Sequence, residues 1–453
     1  MTPGPGLGTG LGPGTAPATA FAVPAALAER TVLPGDPRYP LLRSTYTTVA
    51  HPAAVVLVRG PGDIAAALAA ARAQGLPVSV RSGGHGLSGR SSNDGGIVID
   101  LSRLDEVRVV DGATRLVRIG AGARWGRVAS TLAAHRLAVS SGDHGNVAAG
   151  GLATAGGIGW LARTYGLTVD RVRAVELVLA DGTALRADAT HHPDLFWAVR
   201  GAGAGVGIVT AFEIEAMELG DIGVAQLVFE ADPAGGALAQ WASAMAAAPR
   251  TLTSAAHLLS NGPALALSVT VAVADDDPDR VREALGPLVA GRHRPLQATA
   301  QLAPYTALVS SAHEHANTGR QPVVSTNSLL PELTRDAARA VMATAGDRHR
   351  PAFVQLRSLG GAINDVPADA TAYAHRTAQV LAQGNLFPPH GPDDLHRLWT
   401  PVRELGDGSY VNFESGTGPG VFDRAYPGAT GARVRELWRR HDPDGVLRPL
   451  TPG

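Results

Sequence analysis

The stretch Pro77-Val-Ser-Val-Arg-Ser-Gly-Gly-His-Gly86 joins a short strand pattern to a glycine turn. The β-branched run from Val78 to Val80 is typical of a buried strand. Two adjacent glycines then let the backbone turn tightly, and successive backbone N–H groups in such a turn suit phosphate oxygens. We therefore expect His85 at the edge of a phosphate-binding loop. The alternative is an ordinary glycine turn with an exposed histidine, because the chain has 55 glycines in 453 residues.

Composition and charge exclude several classes of function. The 39 basic and 40 acidic residues balance, so nothing favours a nucleic acid or an anionic membrane surface as a partner. No stretch approaches the roughly 18 consecutive apolar residues of a membrane span, and the absence of cysteine excludes disulfides and thiol chemistry. Residues 1–20 are rich in Pro, Gly, Thr and Ala without Lys or Arg, so we predict a disordered tail over 1–25 and no secretory signal. These features favour a cytoplasmic enzyme, as a monomer or homodimer, and the high Ala, Gly and Arg content suggests a bacterial source.

Alternating strand-like and helix-like runs predict two domains, one α/β and one α+β. Up to about residue 215, short β-branched runs alternate with helical segments, as in a parallel α/β unit, and an Asp-Gly turn predicts a hairpin over 174–187. We expect one helix over 63–74, with Asp63 as its N-cap, and another beginning with the small residues of 150–163. From residue 216, longer apolar runs alternate with longer helices, which predicts one sheet with helices on one side.

Several blocks of the sequence resemble one family. Val80-Arg-Ser-Gly-Gly-His85 resembles the flavin-attachment loop of the berberine-bridge-enzyme-like branch of the vanillyl-alcohol oxidase superfamily. Further blocks resemble the same family in the same order: Val147-Ala-Ala-Gly-Gly-Leu-Ala-Thr-Ala-Gly-Gly-Ile-Gly159, Tyr165-Gly-Leu-Thr-Val-Asp170, Asp194-Leu-Phe-Trp-Ala-Val-Arg-Gly201, Tyr410-Val-Asn-Phe413 and His441-Asp-Pro-Asp-Gly-Val-Leu-Arg448. The resemblance implies a two-domain PCMH-type FAD-binding fold with an antiparallel-sheet substrate domain covered by helices. It places the FAD-binding domain at 26–215, the substrate-binding domain at 216–407, and a C-terminal segment that returns to the FAD-binding domain at 408–453.

The resemblance also implies a covalently bound cofactor. Its members carry FAD on the histidine at the position of His85, which requires a neutral imidazole nitrogen as the nucleophile. Many relatives add a second link through a cysteine at the position of His144; since this chain has no cysteine, we expect a single link at His85. His144 then lines the pocket, carries a proton or is simply structural. Residues at positions that surround FAD in the family are Arg81, Ser82, Gly83, Gly84, Gly86, Gly142, Asp143, Val147, Gly150, Gly151, Gly157, Ile158, Ile208, Val209, Tyr410 and Asn412.

The activity implied by the resemblance is FAD-dependent oxidation of a small organic molecule. Hydride passes to FAD, and O2 then reoxidises the cofactor and forms H2O2; substrates in the family include secondary-metabolite alcohols and phenols, and sugars. Val147 stands at a position linked to oxygen access, and a valine there favours an oxidase. The alternatives are a dehydrogenase of the same fold that uses another electron acceptor, and a flavin-binding protein without turnover. Residues 201–207 do not match the spacing of a dinucleotide-binding loop, so a nicotinamide cofactor is disfavoured.

Oxidation of an alcohol or phenol requires a proton acceptor near the flavin, because the O–H proton leaves as the hydride is transferred. We predict a strand over 409–414, in which Tyr410 and Asn412 share a face, and the family aims the Tyr410 position at the flavin. Relatives often have a lysine and a Glu or Gln where Gln355 and Arg357 stand on another strand. An arginine near a phenol lowers the pKa of the phenol from about 10. Tyr410 is therefore the predicted base, with Arg357 as its electrostatic partner or as an anchor for a substrate oxygen; the alternative is that Tyr410 only packs on the flavin. His313-Glu-His315 lacks metal-site spacing, so we expect no metal.

Overall fold

Four short strands near the N-terminus form the first sheet of the computed structural model, which describes residues 21–261, 264–309, 322–447 and 450. They are β1 (Thr31–Val32), β2 (Ala54–Leu57), β3 (Val78–Arg81) and β4 (Ile97–Asp100), with α1 (Tyr39–Leu42) and α2 (Pro61–Ala73) between them. Strands β2, β4 and β3 are parallel, as predicted for this region. Helix α2 begins after Gly60, so the prediction that Asp63 is its N-cap is wrong. The Asp63 carboxylate accepts a hydrogen bond from the Arg59 N–H at 2.8 Å.

A second sheet has five antiparallel strands in the order β5-β6-β10-β8-β9, where the sequence pattern predicted parallel units. The predicted hairpin over 174–187 is confirmed as β8 and β9. A two-stranded ribbon, β7 with β11, lies beside the sheet. The strands are β5 (Val107–Asp111), β6 (Leu116–Gly120), β7 (Leu137–Ala138), β8 (Val172–Val178), β9 (Ala184–Asp188), β10 (Ile208–Glu215) and β11 (Met217–Glu218).

The helices of this region are short. They are α3 (Trp125–Ala133), α4 (Ala149–Ala153), α5 (Ala162–Tyr165), α6 (Thr168–Arg171) and α7 (Pro193–Ala202). The helix predicted to begin with the small residues of 150–163 is only the short α4, because the chain leaves helical geometry between α4 and α5. Gly156 and Gly157 there have φ of +147° and +84°, values that residues with a side chain rarely adopt.

The third sheet has seven antiparallel strands in the order β15-β12-β14-β13-β17-β18-β16. Its apolar face packs on four helices, which confirms the predicted sheet with helices on one side. The strands are β12 (Asp221–Ala231), β13 (Leu252–Asn261), β14 (Ala264–Val273), β15 (Gln297–Pro304), β16 (Val324–Leu330), β17 (Phe353–Ser358) and β18 (Val380–Leu386). The helices are α8 (Gly236–Ala247), α9 (Pro278–Val289), α10 (Arg335–Ala345) and α11 (Pro392–Arg403).

The C-terminal segment packs against the first half of the chain through α12 (Pro419–Ala425) and α13 (Gly428–His441). The Trp438 indole donates a hydrogen bond to the carbonyl of Ala202 in α7 at 3.1 Å. Residues 411–413 form a 3₁₀ helix, so the strand predicted over 409–414 is wrong.

Two sequence predictions concern parts of the chain at the edge of the described residues. Phe21 is 5% exposed and belongs to the main hydrophobic core, so the predicted disordered tail is wrong for residues 21–25. Residues 1–20 lie outside the described residues, as does His313-Glu-His315.

Two buried arginines join the region of the first two sheets to the third sheet. The Arg163 guanidinium donates to the carbonyls of Leu252 at 2.8 Å and of Met245 at 3.3 Å, both in the segment around α8 and β13. Arg376 makes a bidentate ion pair with Asp170 of α6, at 2.7 and 2.9 Å. Such buried, fully hydrogen-bonded cations fix the geometry of the space between the sheets.

Candidate active site

The glycine loop after β3 presents unused hydrogen-bond donors. The backbone N–H groups of Gly84, His85 and Gly86 have no acceptor among the described residues. Gly84 has a φ of +71°, which lets the loop turn back on itself. Successive N–H groups of this kind form a nest for anionic oxygens, above all those of phosphates.

Side chains beside the loop hold it in place. The Arg81 guanidinium donates to Asp100 at 2.7 Å, and both side chains are buried. The Ser82 hydroxyl donates to the Ala121 carbonyl at 2.6 Å. A Cβ atom on Gly83 would lie 2.8 Å from the Ala148 nitrogen, so only glycine allows this approach. The predicted cofactor residues Arg81, Ser82 and Gly83 therefore have a structural role here, and the N–H groups of the next three residues are left for a ligand.

His85 lies between two other aromatic rings. Its imidazole stacks on Tyr46 with a centroid separation of 5.0 Å, and the His144 ring is 5.4 Å away. Burial lowers the pKa of His85 to about 4, with smaller contributions from His144 and Arg124. His85 is therefore neutral at neutral pH. His144 accepts a hydrogen bond at Nδ1 from the Asn146 N–H at 3.3 Å.

Tyr410 is anchored to the second glycine block. Its hydroxyl accepts hydrogen bonds from the Gly157 N–H at 3.2 Å and from the Asn412 amide at 3.1 Å. The same Asn412 amide donates to the Gly151 carbonyl at 3.1 Å. Burial raises the pKa of Tyr410 and outweighs the opposite influence of these hydrogen bonds and of Arg357. The expectation that the pKa of this phenol is lowered is therefore wrong.

Gly150 and Val147 are two further predicted cofactor residues whose contacts are defined. A Cβ atom on Gly150 would approach the Ser82 hydroxyl to 3.0 Å, so this glycine lets α4 reach the loop. The Val147 carbonyl accepts the Trp125 N–H at 3.0 Å. Contact of these residues with a cofactor stays a prediction, as it does for four other buried positions: Gly142, Ile158, Ile208 and Val209.

The polar face of the seven-stranded sheet supplies the opposite wall. Gln355 and Arg357 of β17 share this face, as the strand pattern predicted. The Arg357 guanidinium forms an ion pair with Asp143 and lies 5.2 Å from the centre of the Phe413 ring. Burial would raise the pKa of Asp143, but Arg357 outweighs burial and holds it below its ordinary value. The ionic partner of Arg357 is therefore Asp143, and not Tyr410 as expected.

Sequence reasoning missed His257 and Gln383. In the strand register, His257 of β13 stands opposite Gln355 of β17, and Gln355 stands opposite Gln383 of β18. The three residues therefore form one row across the sheet. A partial signal is the polar alternation Gln383-x-Asn385 in β18, whereas Ala255 and Leu259 interrupt the pattern around His257 in β13. The sequence indicates a polar face clearly only in β17, because apolar residues dominate the neighbouring runs.

Comparison with known proteins identifies an FAD-binding domain and several relatives. The model of an FAD binding domain matches residues 52–188. Over 200 residues the chain is 36% identical to (R)-6-hydroxynicotine oxidase of Paenarthrobacter nicotinovorans, and this match spans 44% of the chain and 43% of that relative. An FAD-linked oxidoreductase of Bacillus subtilis, YgaK, is 27% identical over 93% of this chain and 96% of its own. The chain thus matches less than half the length of the first relative and nearly all of the second.

Solved structures show the same fold. Glucooligosaccharide oxidase of Acremonium strictum, described with 6-S-cysteinyl, 8α-N1-histidyl FAD, has a TM-score of 0.83 at 22% identity, over 94% of this chain and 98% of its own. The berberine-bridge-enzyme-like protein 1 of Physcomitrella patens has a TM-score of 0.82 at 20% identity, over the same shares of the two chains. The chain therefore contains an FAD-binding domain and has the fold of these proteins, and the relatives that it matches are named as FAD-linked oxidoreductases or oxidases.

The residues of the candidate site fit FAD. The three free N–H groups at Gly84, His85 and Gly86 suit the oxygens of its pyrophosphate, and they stand where β3 ends. A neutral imidazole follows the glycine pair, as attachment to the cofactor requires. Within the described residues, no helix is long and apolar enough to cross a membrane, and no three His, Cys, Asp or Glu side chains form a group that could hold a metal ion.

Proposed function

We propose that this oxidoreductase is an oxidase that removes a hydride from a small organic substrate. FAD held by His85 would supply the hydride acceptor, and O2 would be the final electron acceptor, giving H2O2. The observation that supports this most directly is the His85 imidazole, which is neutral at neutral pH and follows the free N–H groups of the glycine loop. A protonated imidazole has no lone pair to form such a bond, so the lowered pKa favours attachment.

We propose a single covalent link. The Acremonium enzyme is described with both a cysteinyl and a histidyl link. This chain has no cysteine, and His144 lies beside His85 at the edge of the same loop. A thioether is therefore impossible, and His85 is the nucleophile that we assign.

The remaining residues have roles in binding and orientation. In this proposal the N–H groups of the glycine loop would hold the pyrophosphate, and the small residues of the block at 150–157 would leave room for the flat ring. Tyr410 fixes Gly157 in that block through its hydroxyl. Phe413 and the Asp143–Arg357 pair border the substrate side. Because this ion pair is internally neutralised, the space suits an uncharged molecule.

The substrate class is part of the proposal. The relatives are named for a hydroxynicotine and for oligosaccharides, and we propose a small alcohol, phenol or sugar, for example of secondary metabolism. Oligomeric state, as monomer or homodimer, and a cytoplasmic location stay predictions of the sequence.

The test begins without air. Purified wild-type protein is mixed with alcohols, sugars, amines and polyphenols, and loss of the yellow flavin absorbance identifies a reducing substrate. Air is then readmitted, and oxygen consumption with H2O2 formation is measured. Rapid oxygen uptake supports an oxidase, whereas a flavin that stays reduced in air identifies a dehydrogenase. A flavin that no compound reduces contradicts catalysis altogether.

A further inference from the structure

A continuous chain of side-chain hydrogen bonds ends at His257. The imidazole is hydrogen-bonded to Gln355. The Gln355 amide nitrogen donates to the Gln383 carbonyl oxygen. The Gln383 amide nitrogen donates in turn to the Ser325 hydroxyl at 2.7 Å, and this hydroxyl donates to the backbone carbonyl of Phe413 at 3.1 Å.

The carbonyl of Phe413 determines which group donates in each of these hydrogen bonds. A backbone carbonyl can only accept, so Ser325 must donate to Phe413 and must accept from the nitrogen of Gln383. The backbone carbonyl of Phe353 requires the same orientation of the Gln383 amide, through Asn385. Asn385 donates to the Phe353 carbonyl at 3.2 Å, which turns the Asn385 oxygen toward the Gln383 nitrogen, at 3.0 Å. The oxygen of Gln383 therefore faces Gln355.

The same logic fixes the tautomer of His257. Since the Gln355 nitrogen donates to Gln383, the Gln355 oxygen is left to accept a proton from the imidazole. The ring nitrogen that faces Gln355 carries the proton. The other nitrogen of a neutral imidazole is then an acceptor, because the two nitrogens have opposite roles.

His257 lies on the polar face of the sheet, beside the pair that borders the proposed substrate space. Its ring stacks on Phe353 with a centroid separation of 5.8 Å. The charged groups that face it are Arg357 of β17 and Asp143 of the loop before α4. Burial lowers the pKa of His257, as does Arg357, while Asp143 and Gln355 act in the opposite direction. From β14 the opposite residue is Ser268, which does not titrate.

We propose that His257 accepts the hydroxyl proton of the substrate. The inference rests on the proposed oxidase function and assigns its substrate as a molecule with a hydroxyl on the carbon that is oxidised. The O–H bond breaks and its proton goes to the free ring nitrogen, while the C–H electron pair and its hydrogen leave for the flavin and a carbonyl forms. The imidazolium returns its proton when O2 takes up the two electrons and becomes H2O2.

The first experiment requires no substrate. Wild-type holoenzyme is treated with diethylpyrocarbonate, which modifies unprotonated imidazoles, between pH 5.5 and 8, and peptides are mapped by mass spectrometry. Because its pKa is lowered, a His257 with a free nitrogen should lose reactivity at a lower pH than N-acetylhistidine treated in parallel. A His257 that is unreactive at pH 8, or that loses its reactivity at the same or a higher pH than N-acetylhistidine, overturns the proposal. The Gln355→Leu variant removes the acceptor that fixes the tautomer. Because the hydrogen bond to Gln355 raises the pKa of His257, the reactivity of His257 in this variant should persist to a lower pH than in wild type.

The second experiment measures flavin reduction without air, using the compound that reduces the wild-type flavin. We expect His257→Asn to lower the reduction rate by about 100-fold or more, since a positioned base contributes about 10²–10⁴-fold. The wild-type rate should fall as pH falls through the pKa of His257, and the variant should lack this acid limb. His293→Asn is the matched control, because His293 contacts Gln240 of α8 on the helical side of the sheet, and its rate should not change.

An unchanged rate in His257→Asn overturns the assignment, and so does a lowered rate with the acid limb retained. The Asp143→Asn variant removes the carboxylate near the His257 ring. If this variant loses the acid limb of the pH profile, Asp143 is the base. Failure of the oxidase proposal is distinguishable. In that case the reduced wild-type flavin is not reoxidised by air, or no compound reduces it at all, whereas the modification experiment still gives its own answer for His257.

Discussion

Asn327 brackets the backbone of Tyr410 with two hydrogen bonds. The Tyr410 N–H donates to the Asn327 side-chain oxygen at 2.7 Å, and the Asn327 amide nitrogen donates to the Tyr410 carbonyl at 3.0 Å. The same nitrogen also donates to the Glu414 carboxylate at 3.1 Å. Asn327 belongs to β16 of the substrate-side sheet, whereas Tyr410 lies in the C-terminal segment. One amide thus ties the residue that anchors the glycine block to the opposite wall of the site.

Replacing Asn327 should destabilise the protein. Asn327→Ala leaves the N–H and the carbonyl of Tyr410 buried without partners, and an unsatisfied buried group costs about 1–3 kcal/mol. We expect the free energy of unfolding to fall by about 2 kcal/mol or more, measured by urea denaturation with flavin fluorescence. Asn364→Ala is the control, because the Asn364 side-chain oxygen has no partner among the described residues. An equal loss of unfolding free energy in both variants would contradict a stabilising role for the two hydrogen bonds between Asn327 and the Tyr410 backbone.

Glu414 should make stability depend on pH. Burial raises the pKa of Glu414 to about 7, against the opposing influence of Arg424, Thr326 and Asn327. The folded state therefore holds a proton that the unfolded chain releases near pH 4.5, so Glu414 favours folding below that pH. This contribution is lost as pH rises to about 7, and is about 3 kcal/mol at most.

The measurement compares Glu414→Gln with wild type, because histidines whose pKa is lowered by folding, such as His375, change stability in the opposite direction. Unfolding free energies are determined from pH 5 to pH 8. The variant should gain stability relative to wild type as pH rises toward 7, and the difference should level off above it. A difference that stays constant with pH would show that Glu414 is ionised throughout.

The sequence predicted much of the fold but not all of it. Runs such as Val78–Val80 identify parallel strands because buried strands need continuous β-branched residues. The antiparallel five-stranded sheet was missed, because the same short runs do not record strand direction. The break between α4 and α5 was missed for a similar reason: Gly156 and Gly157 suit a helix of small residues in the sequence, and only their positive φ angles exclude it.

Part of the candidate site can likewise be predicted from the sequence, and part depends on the folded chain. The glycine loop and His85 can be predicted because a turn of this kind depends on adjacent residues. The Asp143–Arg357 pair joins residues 214 positions apart, and the row from His257 to Gln383 depends on the register of three strands. Neither has a local signal. The pKa of Tyr410 was predicted in the wrong direction because burial outweighs a nearby arginine, and burial depends on the folded chain.

Covalent attachment should depend on His85 alone. We expect wild-type protein precipitated with acid to give a pellet with flavin fluorescence, and His85→Ala to give a colourless one, since no cysteine offers a second link. His144→Ala is the matched control, because the two rings are neighbours, and its pellet should stay fluorescent. A fluorescent pellet from His85→Ala would falsify the assignment.

Val147→Leu should slow reoxidation by O2. Leucine adds a methylene at a half-buried position next to Ala148, whose backbone contacts Gly83 of the glycine loop, and it should narrow any path for oxygen to the flavin. The rate of anaerobic reduction should stay nearly unchanged, while the rate at which reduced enzyme recovers its absorbance in air should fall. Stopped-flow mixing measures both rates. Equal reoxidation in the two proteins would remove Val147 from the oxygen path.

Tyr410→Phe should affect stability more than the chemical step. Phenylalanine removes the oxygen that accepts the Gly157 N–H and the Asn412 amide, which costs about 1–3 kcal/mol. Because burial raises the pKa of Tyr410, the phenol stays protonated at neutral pH and is a poor proton acceptor. We therefore expect anaerobic flavin reduction to slow by less than tenfold, with an unchanged pH profile, where a base would contribute about 10²-fold or more. His257→Asn is measured in parallel. If Tyr410→Phe instead loses at least tenfold in rate together with one limb of the pH profile, while His257→Asn does not, Tyr410 is the base.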